Sequence, residues 1–172
     1  DNLLPTAQEL IDAGITVPSM AMDTNARMGD SVRFIVGDIR ANENTAILSL
    51  HTLMVREHNR IVDSLTIADP GLSDADKFEI ARKVVGAEIQ AVTYEEYLPA
   101  IGVNVTTSGG YDPGVDPRIS TEFAHAVFRM GHMSINEQAL RLNNDLTPHA
   151  EGPMTLEDTF FNPTEVFASG GI

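Results

Sequence analysis

The strongest pattern in the chain is Asn44-Thr45-Ala46-Ile47-Leu48-Ser49-Leu50-His51-Thr52-Leu53-Met54-Val55-Arg56-Glu57-His58-Asn59-Arg60-Ile61-Val62-Asp63-Ser64-Leu65. Ile47, Leu48, Leu50, Leu53, Met54, Ile61, Val62 and Leu65 recur at helical spacing. That spacing predicts one helix from about Asn44 to Leu65, long enough to cross a domain. His51 and His58 both lie on it and read as core histidines. The flanking segments extend the same architecture, which is mainly α-helical with long connecting loops.

Downstream, Thr66 to Asp76 is a loop rich in Asp, Gly, Pro and Ser, closing where Ser73 or Asp74 can cap a helix. It lacks the ordered oxygen spacing of an EF-hand, which argues against calcium there. Phe78, Ile80, Ala81, Val84, Val85, Ile89 and Val92 predict a second long helix over Lys77 to Tyr97, ending before Pro99. Asn104 to Arg118 is rich in glycine and proline, and its Asn104-Val105-Thr106 triplet can accept a glycan in a secreted protein.

Ser120 to Glu137 predicts a buried helix, with Ser120 as its cap and Phe123, Val127 and Phe128 on one side. Helical spacing places His125, Arg129 and His132 on a common stripe. Gly131 removes a side chain beside His132 at a cost in helix stability, as suits a close approach to the backbone. Taken alone, His132 reads as a hydrogen-bonded core histidine. Arg141 to Met154 is polar and turn-rich, and Pro163 to Ala168 resembles a short final helix.

Upstream, Pro5, Gly14, Pro18 and Gly29 interrupt residues 1–30, which read as an arm over a core with one short helix at Thr6 to Ala13. Ser31 to Val36 suits an extended segment that enters a turn at Gly37-Asp38. No internal repeat appears, and no linker splits residues 1–172 into two domains. The chain opens on Asp1 and closes on Gly-Gly-Ile without a capped element, as expected for a piece of a longer protein.

Composition narrows the chemistry. The chain carries 25 acids against 11 bases, a formal charge of −14, with no basic run, which opposes nucleic acid and anionic membrane surfaces as partners. No apolar run approaches a membrane span. The chain has no cysteine, so disulfides, thiolate metal sites and cysteine nucleophiles are excluded. Its 172 residues suffice for a substantial core.

Five histidines among many acids invite a metal-hydrolase reading, but no His-Glu-x-x-His occurs. Glu57-His58 gives half of the inverted zinc motif, with Met54 where its first histidine is needed. A nucleophile elbow, a P-loop and a dinucleotide fingerprint are all missing. Two stretches remain unusual, Gly37-Asp38-Ile39-Arg40-Ala41-Asn42-Glu43-Asn44 and Phe128-Arg129-Met130-Gly131-His132. If the long helix began near Arg40, Arg40 and Glu43 would share a face at its start, either as a functional pair or as an ordinary surface ion pair.

Together these stretches resemble the animal haem peroxidases of the peroxidase-cyclooxygenase superfamily. Gly-Asp-Ile-Arg-Ala-Asn-Glu followed by Leu50-His51-Thr52-Leu53-Met54-Val55-Arg56-Glu57-His58-Asn59-Arg60 is similar to the family's core. Tyr111-Asp112-Pro113-Gly114-Val115-Asp116-Pro117-Arg118-Ile119-Ser120 through His132 is similar to its proximal region. The likeness runs from about Leu3 to the end of the chain, in family order.

The resemblance implies a haem-dependent peroxidase that reduces hydrogen peroxide and oxidises a halide or small organic donor through high-valent iron. By the same likeness, His132 is the proximal iron ligand, with Gly131 allowing close approach to the porphyrin. Arg129 pairs with a haem propionate, Arg40 is the distal catalytic arginine, and Glu43 is the carboxylate that can carry an ester to a methyl of haem b. Asn44 stands where some members have a methionine that makes a sulfonium link, so that link cannot form here. The likeness assigns no role to His125. These roles suit the chemistry, since neutral imidazole is a good axial ligand and Arg stays protonated with several donors in one plane.

The resemblance further implies that residues 1–172 are the central part of one catalytic domain. The distal histidine and a calcium loop are expected upstream, and the asparagine partner of the proximal histidine downstream. Calcium would then belong to the parent domain and not to this chain, whose isolated activity is expected to be incomplete. Its partners would be hydrogen peroxide, a small electron donor and the remaining segments of the domain, and its location extracellular. Two other readings are a fatty-acid dioxygenase of the same superfamily and a non-catalytic scaffold remnant. The dioxygenases use a tyrosyl radical three residues before the proximal histidine, where this chain has Arg129.

Overall fold

A computed structural model describes residues 7–14, 34–104 and 109–162. The architecture is mainly helical, as the apolar periodicity predicts. Helix α1 spans Ala7–Asp12, inside the expected Thr6 to Ala13. Helix α2 spans Thr45–Ala68 and is about 36 Å long at the standard rise. Asn44 is its N-cap, with extended backbone and its side-chain oxygen accepting from the Ala46 N–H at 2.8 Å. Helix α3 spans Asp74–Ala91 and is capped by Ser73, whose hydroxyl accepts from the Asp76 N–H.

The short loop between α2 and α3 folds the two helices against each other. The His58 ring lies 5.0 Å from that of Phe78, at 58° between planes, and its Nε2 is 3.3 Å from the Phe78 carbonyl oxygen. His51 and His58 are half-buried. This corrects their assignment to the core: α3 covers one side of α2, leaving these rings partly open.

The expected end before Pro99 is also corrected. A π-helical turn over Val92–Tyr97 carries the chain into α4, Leu98–Ala100. The Leu98 N–H reaches the Thr93 carbonyl, so the register has widened before proline, and the missing Pro99 N–H interrupts no α-type ladder there.

The Ser120 to Glu137 segment departs furthest from expectation. Ser120 caps as predicted, accepting from the Phe123 N–H at 3.2 Å, but α5 spans only Thr121–His125. Ala126, at φ −125°, leaves the helical region, and Val127–Ser134 continues as a 3₁₀ helix. Phe123, Val127 and Phe128 are exposed, so this is not a buried helix. Most helical stability comes from packing an apolar face, and this face lacks such cover, so the tighter turn and the glycine at 131 prevail over α geometry.

Two short strands that the sequence reading missed, β1 at Gln138–Ala139 and β2 at Met154–Thr155, pair antiparallel with Gln138 opposite Thr155. They enclose the polar, turn-rich stretch, within which Arg141 binds Glu151. Helix α6, Leu156–Thr159, follows directly and is capped by Thr155. Phe34 and Leu48 form a buried cluster, with Val36 packed against it. The buried Asn42 side chain satisfies both backbone groups of Phe34, accepting from its N–H at 3.0 Å and donating to its carbonyl at 2.9 Å. The final helix expected at Pro163 to Ala168 lies outside the described residues, as do residues 31–33 of the extended segment and Val105-Thr106 of the glycan triplet.

Candidate functional site

The turn before α2 carries Arg40 and Glu43. The Ala41 N–H donates to the Asp38 carbonyl at 3.2 Å, and the Glu43 N–H donates to the Arg40 carbonyl at 2.9 Å. Arg40 and Glu43 therefore close a turn, which brings their Cα atoms within about 7 Å. They sit together, but not on a shared helical face, because the Asn44 cap delays the helix to Thr45.

Arg40 takes its ion pair from Asp38. Its Nε donates to one Asp38 carboxylate oxygen at 3.0 Å and its Nη2 to the other at 2.8 Å. The Arg40 backbone N–H also reaches Asp38, at 2.8 Å. These bonds hold the Asp38 carboxyl well below the usual carboxylate range and raise the Arg40 guanidinium, with a smaller contribution from the Glu43 charge. The fork is thereby oriented, while Nη1 makes no hydrogen bond among the described residues. Among the described residues the Glu43 carboxylate makes no hydrogen bond.

Asp38 was not singled out by sequence reasoning. Its signal was available, since an Asp side chain readily binds the backbone two residues on. The same device recurs among the described residues, and Asp116 holds Arg118 through the same three donors, at 3.1, 2.9 and 2.6 Å.

Arg129 and His132 lie in the 3₁₀ helix Val127–Ser134. The His132 Nδ1 is 3.1 Å from the Arg129 carbonyl oxygen. A carbonyl only accepts, so this bond requires the proton on Nδ1, and the neutral ring in that tautomer carries its lone pair on Nε2. That is the tautomer an axial metal ligand needs. The Arg129 guanidinium has no hydrogen bond among the described residues. The Phe123 and Phe128 rings are 6.3 Å apart on the same segment. His125 is exposed.

Among the described residues no hydrogen bond or ion pair joins the Arg40–Glu43 turn to the Arg129–His132 segment. The donor set nonetheless fits a haem. It offers one imidazole with a ligating nitrogen, a cation suited to a propionate, and a second cation beside a carboxylate. No three His, Cys, Asp or Glu converge as a separate metal set among the described residues.

The family model for animal haem peroxidase matches residues 4–172, nearly the whole chain. The chain belongs to the animal haem peroxidase family. A human peroxidasin homolog is 42% identical over 144 residues, covering 81% of this chain and 10% of the relative. Peroxidasin homolog pxn-1 of Caenorhabditis elegans is 40% identical over 146 residues, covering 81% of this chain and 11% of its own. Pig thyroid peroxidase is 35% identical over 161 residues, with 90% and 17% covered. The solved structure of peroxidase A from Dictyostelium discoideum superposes with a TM-score of 0.82 at 30% identity, covering 96% of this chain and 30% of that one. The chain thus spans about a tenth of the peroxidasins that it matches. The helical fold expected from the family likeness is the fold observed.

Proposed function

We propose that this chain supplies part of the haem site of a peroxidase, which reduces hydrogen peroxide and oxidises a halide or small organic donor. The observation that carries the reading is the His132 ring, whose Nδ1 contact with the Arg129 carbonyl leaves Nε2 as a lone-pair donor. His132 would hold the iron of haem b, and the carbonyl behind it would fix the ring and strengthen its donation. Arg129 would pair with a propionate. Glu43 would hold a haem methyl through an ester. Arg40, oriented by Asp38, would aim its Nη1 donors at peroxide and at the charge that develops as the O–O bond lengthens. The bound haem would supply the redox chemistry itself.

Residues 1–172 act, on this reading, as the central part of one catalytic domain. The exposed apolar surface supports this. Leu50 and Leu53 on α2 are 58% and 54% exposed, and Phe128 and Met133 beside His132 are 66% and 91% exposed. A helix apolar on several faces belongs inside a larger core. The remaining segments of the domain, with the distal histidine and the calcium loop, would cover these faces. No helix of the described residues is long and apolar enough to cross a membrane, and the whole protein is proposed to be extracellular.

The test is the visible spectrum of the full-length protein with and without hydrogen peroxide. The reading expects a Soret band that changes on adding peroxide and recovers with a reducing donor. A protein that purifies without haem and takes up none would contradict it.

A further inference from the structure

The turn that carries Arg40 and Glu43 is held from far along the chain. The Asn44 Nδ2 donates to the Thr159 hydroxyl at 2.6 Å across 115 residues of sequence, and that hydroxyl donates to the Leu156 carbonyl at 2.6 Å. A threonine hydroxyl has one proton, so the Leu156 bond fixes the lone pair presented to Asn44. The Oδ1 of the Asn44 side chain accepts from the Ala46 N–H. The Asn44 amide is therefore bound at both ends, and its direction is set.

One residue back, the Glu43 carbonyl accepts from the Phe161 N–H at 2.9 Å. Phe161 adopts φ +50°, a left-handed conformation costly for a bulky side chain. Strain of this kind persists where surrounding bonds hold it, and here it falls on the residue that grips Glu43. Thr159 is 2% exposed, so its hydroxyl has no water to fall back on.

We propose that Asn44, Thr159 and the Phe161 amide form a positioning clamp, which fixes the Arg40–Glu43 turn against α6 and so sets the direction of both side chains toward the haem site. The proposal rests on the haem-site reading above. Thr159 and Asn44 are positioning residues, acting through the backbone of the turn. Asn44 is thus used as an internal tie to α6.

The test uses the full-length protein and three variants. Thr159→Val keeps shape and removes the hydroxyl, Asn44→Asp keeps the helix cap and removes the Nδ2 donor, and Thr159→Ser restores the hydroxyl. Amide exchange over residues 40–46 and at Phe161 is read in each protein as purified, together with the rate constant for reaction with hydrogen peroxide and the Soret position. Thr159→Val and Asn44→Asp are expected to speed exchange in the turn about tenfold and to lower the peroxide rate constant about tenfold, the equivalent of one hydrogen bond. The Soret position should stay, because His132 is untouched, and Thr159→Ser should recover both losses. Unchanged exchange, or a lowered melting temperature with an unchanged peroxide rate constant, would overturn the clamp. A parent protein without haem would overturn the haem-site reading, and unchanged exchange in its variants would still refute the tie.

Discussion

Asp38 grips Arg40 through both carboxylate oxygens, binding Nε at 3.0 Å, Nη2 at 2.8 Å and the backbone N–H at 2.8 Å. The arginine is exposed, yet its plane is fixed by a residue two positions away. Asp38→Asn keeps the size of the side chain and removes its charge. On the full-length protein this change should leave the Soret band in place and lower the peroxide rate constant roughly tenfold, because charge-assisted bonds orient more strongly than neutral ones. Stopped-flow mixing with peroxide measures it.

The same pair makes a pH prediction. The bonds from Arg40 depress the Asp38 carboxyl below its ordinary value of 3.8. A depressed folded-state pKa means that the pair's contribution is present above that ordinary value and is lost as pH falls through the lower folded one. The Arg40 Nε–H resonance should therefore stay constant down to the ordinary carboxylate range and move only below it. A midpoint at or above 3.8 would contradict the bidentate grip.

Leu48 is buried at the start of α2 against Phe34. Leu48→Ala should weaken this end of the helix by about 2–5 kcal/mol, the range for emptying a leucine site in a core. Amide exchange across the first turns of α2 reads the loss directly. The exposed Leu50 should tolerate the same change in this chain alone and resist it in the full-length protein, where other segments are proposed to cover it.

Much of this was legible in the sequence, for reasons that differ from residue to residue. Helix α2 was readable because its apolar spacing survives over many turns and Asn44 marks its start. The Ser120 and Ser73 caps were readable from residue type alone. The exposed 3₁₀ segment around His132, expected as a buried helix, was not, because periodicity reports a face to be covered and not whether a partner covers it. The run past Pro99 was missed because a π-helical turn absorbs the proline through register. Thr159 and Phe161 carried no local signal at all: Thr159 meets Asn44 across 115 residues of sequence and Phe161 meets the similarly remote Glu43, which no spacing rule encodes. Arg40 and Glu43 were recognised by family likeness, and their juxtaposition comes from a turn that closes before the helix.

Arg129 offers a separate test of the propionate pairing. Arg129→Gln should speed haem loss roughly tenfold, with Arg129→Lys intermediate, because lysine keeps the charge without the planar fork. Transfer of haem to an excess of a haem-free globin follows the loss. Equal rates for all three proteins would remove Arg129 from the site.

The most direct measurement is the axial ligation of iron in the full-length protein after His132→Gly, with and without added imidazole. The account predicts that the substitution abolishes the five-coordinate histidine signature in the resonance Raman spectrum and that imidazole restores it, since the Nε2 lone pair would be supplied from solution. A variant that keeps the iron–histidine stretch without imidazole would contradict it.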